Sequence, residues 1–563
     1  MEGRVWERPL FVVFRFPQNA CHMEGDKAMT HSQLRSAFIL WAATSLAVAS
    51  AAQTGSVRHA GSPAVSPEVK HDVSPPLWKM AQLSVGDAVR DPDQGHEAGK
   101  APAAPNEKMS TAGATPAAVL QTKAPIPLAA TLGLNFDGVP GTNYKAPDTN
   151  GTVGATQYVQ WVNIRYAVFD KATGRKLLGP LSGANFWAGF GGPCQSQNQG
   201  DIIAEYDKAA GRWVVTHRAS QTGGPYLECV AVSVTSDATG SYYRYAFANP
   251  FNDFFTDYPK IAVWPDGYYF STDLQDANNH FKLQESMVCA FERSNMLLGK
   301  TATEQCFLVP SHTIYSLLPA DLDGATAPPA GSPNYFVNLD KANQALDFWQ
   351  FHVNWTTPAD STFTGPTILP VATFTEACLG GQCIPQPGTT QKVDSLGDRI
   401  LYRLAYRNFG SYESLLVTHG VNAGRSVGVR WYEIRNPEGN PPTVYQQGTY
   451  APDSNFRWMP SIAQDNAGNI AVGYSVSSPA LYPAIRFTGR VPTDPLGTLE
   501  AEGLIKAGNG SELPPDWRWG DYTAMTVDPA DDCTFWYTNE YYSVSSEQGW
   551  RTRIANFKFP SCP

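Results

Sequence analysis

The chain reads as an all-β protein, a seven-bladed β-propeller, and two observations predict this. First, the stretch from Trp517 to Pro563 holds β-branched and aromatic runs at Tyr522 to Val527, Thr534 to Tyr542 and Arg551 to Phe559. The turn Asp528-Pro529-Ala530-Asp531 joins the first two. Three strands alone leave a face and both edges bare, so the unit makes sense as one member of a stacked set. Second, the pattern recurs. Asp257 to Asp273 (DYPKIAVWPDGYYFSTD), Arg457 to Tyr474 and Gly200 to His217 each repeat a strand, a turn and a second strand. Looser copies run through Thr152 to Gly174, Ser332 to Val353 and Asp398 to Thr418. Seven units at a spacing of roughly 45 to 75 residues match a ring of four-stranded blades. The last unit is one strand short, and Ala130 to Val139 is expected to complete it by joining the two ends of the domain.

In chain order, residues 1–28 read as an over-extended start and 29–51 as a signal peptide. Arg35 precedes an apolar run from Ala37 to Ala49, and Ala49-Ser50-Ala51 has the small-residue pattern of a cleavage site. The run is too short to span a membrane comfortably. Residues 52–129 are rich in Ala, Pro, Ser and Gly, which predicts a disordered linker or propeptide. Residues 130–563 form the propeller. The expected product is a monomer that is secreted, periplasmic or on the cell surface, with no stable membrane span after cleavage.

Net charge is −10 and there is no basic stripe, which argues against a nucleic-acid partner. Apart from Cys21, upstream of the signal, eight cysteines remain. Consecutive pairing inside or beside one repeat unit is the economical choice: Cys194 with Cys229, Cys289 with Cys306, Cys378 with Cys383, and Cys533 with Cys562. A metal reading of these cysteines is weak, because no C-x-x-C pair or nearby His has ligand spacing.

In a propeller the first strand of each blade lines the central channel, and the segments leading into those strands meet on one face. That places Asp201, Asp257, Tyr258, Arg457, Trp458, Arg518, Trp519, Asp521 and Tyr522 together. The acid/base candidates are Asp257, Asp521 and Glu540, with Asp201 as a further carboxylate and Tyr258 and Tyr522 as stacking or nucleophilic partners. Glycoside hydrolysis commonly needs two carboxylates. An acidic sugar would call for arginine clamps, for which Arg403, Arg407, Arg430, Arg457 and Arg518 are the candidates. Each of these arginines reads equally well as a blade-to-blade ion pair.

Asp321-Leu322-Asp323-Gly324 reads as a surface turn rather than a calcium loop. Asp528, Asp531 and Asp532 read as turn formers that could hold a structural calcium, and no other cofactor is expected. His217, His352 and His419 read as core imidazoles. Serine-hydrolase, zinc-protease and phosphate-loop motifs do not occur.

The phrases RWGDYTAMTVDPADDCTFWYTNEYY, LGDRILYRLAYRNFGSYESLLVTH and ADLDGATAPPAGSPNYF resemble a group of exported bacterial proteins of unassigned activity. Their propeller is similar to that of the sialidase superfamily. The sialidase Arg-Ile-Pro motif and S-x-D-x-G-x-x-W turns are not present in strict form, so the resemblance assigns no catalytic residue. It implies a propeller that binds or hydrolyses glycans at its axial face. The alternatives are a non-catalytic adhesion module holding a cell-surface protein, and a polysaccharide lyase.

Overall fold

The computed structural model describes residues 58–59, 61–82, 118–141 and 146–562, apart from 221–223, 225, 252–253, 277–281, 439–440 and 516. The chain divides into the units Met1–Thr54 and Gly55–Pro563, and the described residues all belong to the second. The start and signal readings, over 1–51, lie outside them.

Strand dominates, and the helices are single turns of four or five residues such as Leu77–Met80 and Gly192–Ser196. The strands follow one another as antiparallel sets. The first set is Thr149–Val153, Gln157–Val162, Arg165–Asp170 and Lys176–Ser182. Next come Ile203–Asp207, Arg212–Ser220, Tyr226–Ser233 and Tyr242–Ala248, and then Phe255–Val263, Tyr268–Asp276, Lys282–Phe291 and Thr303–Val309. A ten-stranded sheet follows, in which Leu318–Asp323 pairs in parallel with Leu401–Asn408. That pair joins Asn334–Asp340, Ala345–His352 and Thr362–Pro370 on one side to Glu413–Ala423, Ser426–Arg435 and Thr443–Tyr450 on the other. Phe456–Gln464, Ile470–Ser478, Leu481–Arg490 and Gly503–Lys506 form the next set. In the last set Ala524–Val527, Phe535–Tyr542 and Trp550–Lys558 are completed by Thr131–Pro140, which pairs antiparallel with Trp550–Lys558.

The leading strand of each set lies beside the leading strand of the next, and Ala524–Val527 lies beside Thr149–Val153. These short strands are buried on both faces, and aromatic side chains seal the seams between sets. Phe487 stacks on Phe557 at 4.0 Å, and Trp458 meets Trp519 edge-on at 5.4 Å.

Two leading strands carry the same irregularity. The ladder slips between Asp257 and Lys260 and again between Trp458 and Ser461. In each, a residue with positive φ, Tyr258 (54°) or Met459 (50°), precedes a proline that cannot donate to the ladder. The bulge re-aims the side chains on either side of it, which is how Tyr258 and Lys260 come to share one environment.

Two expectations are corrected here. Residues 52–129 were expected to lack folded structure, but the described parts pair with sheet edges. Arg58–His59 adds to Thr362–Pro370, Ala64–Pro67 to Thr303–Val309, and Lys70–Val73 to Tyr242–Ala248. Leu120–Gln121 adds in parallel to Thr443–Tyr450. An outer strand has unpaired N–H and C=O groups, and these short segments satisfy them. Leu77 and Met80 bury themselves with Trp161, Phe186 and Trp187, and Asp72 forms a two-pronged pair with Arg244 at 2.7 and 2.8 Å. The second correction concerns Asp321 and Asp323. They do not form a surface turn; they lie on the leading strand Leu318–Asp323, buried and ion-paired. The copy expected at Ser332 therefore begins one strand earlier.

All four expected disulfides are present, and Cys533–Cys562 ties the turn before Phe535–Tyr542 to the end of the chain. Bridges of this kind persist in oxidising compartments. Among the described residues no helix is long and apolar enough to cross a membrane.

Candidate functional site

The segments leading into the inner strands bring together residues that lie far apart in the sequence. Asp148 precedes the first set and Asp201 the second, Asp257 lies on Phe255–Val263, and Asp521 precedes the last set. One carboxylate oxygen from each of Asp148, Asp201 and Asp521 lies within 4.8 Å of the others, and all three residues are buried. The Asp521 N–H donates to Asp148 Oδ1 at 2.7 Å, fixing two of these segments to each other.

Buried carboxylates need counter-charge, and three cations supply it. Arg218 places Nε 3.0 Å from Asp201 and a terminal nitrogen 3.5 Å from Asp257. Arg518 pairs with Asp521 at 2.5 Å. Lys260 sits with Nζ 3.4 Å from the ring centre of Tyr258 and 4.4 Å from that of Tyr522. Burial pulls the Lys260 ammonium down to about 8, against the pull of Asp201, Asp521 and Asp148. The two phenol rings meet edge-on at 6.1 Å. Burial pushes both hydroxyls well above the usual tyrosine range, and neither has a hydrogen-bond partner among the described residues.

A fifth carboxylate stands opposite Asp257. Asp273 is its cross-strand partner, and its pKa is pushed up to about 6 by burial, although it accepts hydrogen bonds from the Ser316 N–H and the Ser286 hydroxyl. Asp257 accepts from Gln275 at 2.6 Å. Arg399, paired with Asp398 at 3.0 Å, places its guanidinium 4.9 Å from the Tyr258 ring centre.

Of the residues singled out from the sequence, Asp201, Asp257, Tyr258, Arg518, Asp521 and Tyr522 share this cluster. Glu540 reaches it through the backbone, accepting from the Gly520 N–H at 2.8 Å. Trp458 and Trp519 pack against each other, both buried, and Trp519 donates to Ser475. The other arginines are held elsewhere. Arg403 pairs with Asp321 at 2.7 Å and Asp323 at 2.8 Å. Although burial raises Asp323, Arg403 and Lys208 hold it well below the usual carboxylate range. Arg407 forks onto Asp532, which therefore serves as an ion-pair partner as well as a turn former. Arg430 donates to Thr449 and to the Ala372 carbonyl, and Arg457 pairs with Glu502 and Asp453. A buried guanidinium needs acceptors, and each finds them in the protein. His217 and His419 are buried as expected, whereas His352 is exposed.

Sequence reading missed Asp148, Arg218, Lys260, Asp273 and Arg399. Asp273 was the most findable, because counting back through the Pro265-Asp266-Gly267 turn sets it opposite Asp257. Lys260 follows Tyr258 by two positions, but only the bulge turns both toward the cluster.

The arrangement offers charged oxygens and nitrogens on one spot. Three aspartate oxygens are the donor type that hard cations such as calcium take, although Lys260, Arg218 and Arg518 already lend counter-charge. The whole cluster is buried, with Asp201 and Asp257 each 2% exposed.

No family model matches the chain, and no curated protein does. Among solved structures it is distantly similar to β-propeller proteins. The GH93 α-L-arabinofuranosidase of Fusarium graminearum, solved with arabinobiose, is 9% identical at a TM-score of 0.33, over 76% of this chain and 98% of that one. The Trypanosoma rangeli sialidase, in complex with sialic acid, is 9% identical at 0.33 over 63% and 53%. The N-terminal domain of Nup159 is 9% identical at 0.33 over 78% and 99%. No activity is carried over from any of them.

Proposed function

We propose that the chain is an exported, seven-bladed β-propeller that binds glycans at the hub and hydrolyses them there with Asp273 and Asp257. The supporting observation is the convergence of Asp148, Asp201 and Asp521, which Arg218 ties to Asp257 and its cross-strand partner Asp273, with Arg518 and Lys260 as further cations. The cyclic adjacency of the leading strands and the pairing of Thr131–Pro140 with Trp550–Lys558 support the blade count. The apolar run from Ala37 to Ala49, followed by the small-residue pattern Ala49-Ser50-Ala51, and the four disulfides support export. In this reading Asp273, whose carboxyl keeps its proton to about pH 6, protonates the glycosidic oxygen as the bond to the sugar breaks. Asp257, beside Arg218, takes a proton from the water that adds to the sugar carbon.

Burial of the cluster favours a second reading, a non-catalytic module that holds a cell-surface protein by its rim, with the hub ion pairs as scaffold. The lyase reading needs a basic phenol or imidazole, and the raised Tyr258 and Tyr522 hydroxyls speak against it.

A glycan array probed with the folded chain, followed by sugar-release assays on whatever binds, tests this. The proposal expects binding, release that peaks on the acid side of neutrality, and loss of release in Asp273→Asn. Silence in both assays removes the glycan reading.

A further inference from the structure

A cavity of about 880 Å³ opens between the strand Thr303–Val309 and the sheet formed by Asn334–Asp340, Ala345–His352 and Thr362–Pro370. The volume is in the range of small-molecule sites. Its walls include Leu308, Leu339, Trp349, Phe363 and Ile368, with Asp340 and Asp347 among them. Gly61 also lines it, because the amino-terminal strap crosses there from its pairing at Arg58–His59 to its pairing at Ala64–Pro67.

The polar groups in this cavity are wired in sequence. Trp349 Nε1 donates to Asn338 Oδ1 at 2.9 Å, and Asn338 Nδ2 donates to Asp347 Oδ2 at 3.2 Å. Asp347 Oδ1, on a residue 4% exposed, has no hydrogen-bond donor among the described residues. Asp340 accepts from the N–H and side-chain amide of Asn343, and its carboxyl also lies against that of Asp347. The lysine in the wall, Lys341, is engaged with Glu376 at 2.9 Å. Among the described residues neither aspartate has a basic partner, so as Asp347 ionises the cavity gains negative charge against an apolar wall. The stacked pair Trp349 and Phe363, 5.1 Å apart and nearly parallel, backs that wall.

We propose that this cavity binds an organic cation with an apolar body, its ammonium on Asp347 and its aryl or alkyl skeleton along Leu339, Trp349 and Ile368. An ammonium supplies the donors that the unpartnered oxygen lacks, and the hydrocarbon covers surface that polar sugars would leave unpaired. A neutral isostere brings the same skeleton without the charge and binds more weakly. This inference concerns a site separate from the hub and stands or falls independently of it.

Binding should also depend on pH. Burial and the neighbouring Asp340 push the Asp347 carboxyl up to about 7. The other titratable groups in the wall are His312, Lys341 with its partner Glu376, and Tyr315. The cation needs Asp347 ionised, so affinity should be about tenfold weaker at pH 6 than well above 7.

Isothermal titration of the full chain with phenethylamine, tyramine and 4-phenylbutylamine, against 2-phenylethanol as the neutral control, tests the site. Expected are saturable amine binding, at least tenfold weaker binding of the alcohol, and reduction of the amines to the alcohol's level in Asp347→Asn. Gly61→Trp should block the cavity without disturbing the fold, because Gly61 is exposed and a Cβ there meets nothing within 4 Å. No binding of any of the three amines would overturn the proposal, as would amine binding that survives either substitution.

Discussion

Arg218 touches Asp201 and Asp257 from a fully buried position, and its own side chain is the nearest counter-charge to both. Replacing it with Met removes one positive charge from beside two buried carboxylates. The expected cost is about 3–5 kcal/mol, read from chemical denaturation at pH 7. A loss under 1 kcal/mol would mean that the cluster is solvated. Asp273 gives a prediction with a sign. Its folded pKa of about 6 lies above the unfolded value near 4, so the folded state holds the proton more tightly. Stability from this group is full below about pH 4 and falls as pH rises to about 6, by about 3 kcal/mol. Asp273→Asn should remove that slope, and denaturation midpoints from pH 4 to 7 will show whether it does.

Among the elements, those with alternating β-branched and aromatic residues around a Pro/Asp/Gly turn were legible. Phe255–Val263 with Tyr268–Asp276 and Phe456–Gln464 with Ile470–Ser478 lie where the pattern put them. Leu318–Asp323 was not legible, because LPADLD carries two acids that suit a turn. It is a strand because Arg403 on the adjoining strand and Lys208 from another sheet neutralise those acids, and a sequence does not show which partner will arrive. The same limit applied to the arginines: their residue type was right for a clamp, and their acceptors were invisible. The strap strands AVSP and KHDV have the composition of a linker, and their order comes from the edges they cover. Hydrogen exchange should therefore find the amides of Ala64–Pro67 and Lys70–Val73 that pair across protected well beyond a free peptide. Exchange at the free-peptide rate would contradict this placement. The Cys533–Cys562 bridge closes a loop of 29 residues, and replacing both cysteines with Ala should lower stability by about 3 kcal/mol.

For the molecule as a whole, the hub depends on closure. Thr131–Pro140, which precedes the first set, pairs with Trp550–Lys558 of the last, so the leading strands of the first and last sets become neighbours. That neighbourhood sets Asp148 against Asp521, and Asp201 joins them from the next set. The hub was legible as a meeting place because repeat position predicts spatial position. Its ion-pair pattern was not, because Arg218 comes from a second strand and Lys260 from a bulge. The central claim is that carboxylates some hundreds of residues apart form one electrostatic unit, and a double-mutant cycle on Asp201→Asn and Asp521→Asn measures this most directly. Chemical denaturation of the two single variants and the double should give a coupling above about 1 kcal/mol, since removing either charge changes what the other costs. Two effects that add to within about 0.5 kcal/mol would show that the aspartates do not sense each other, and would contradict the account.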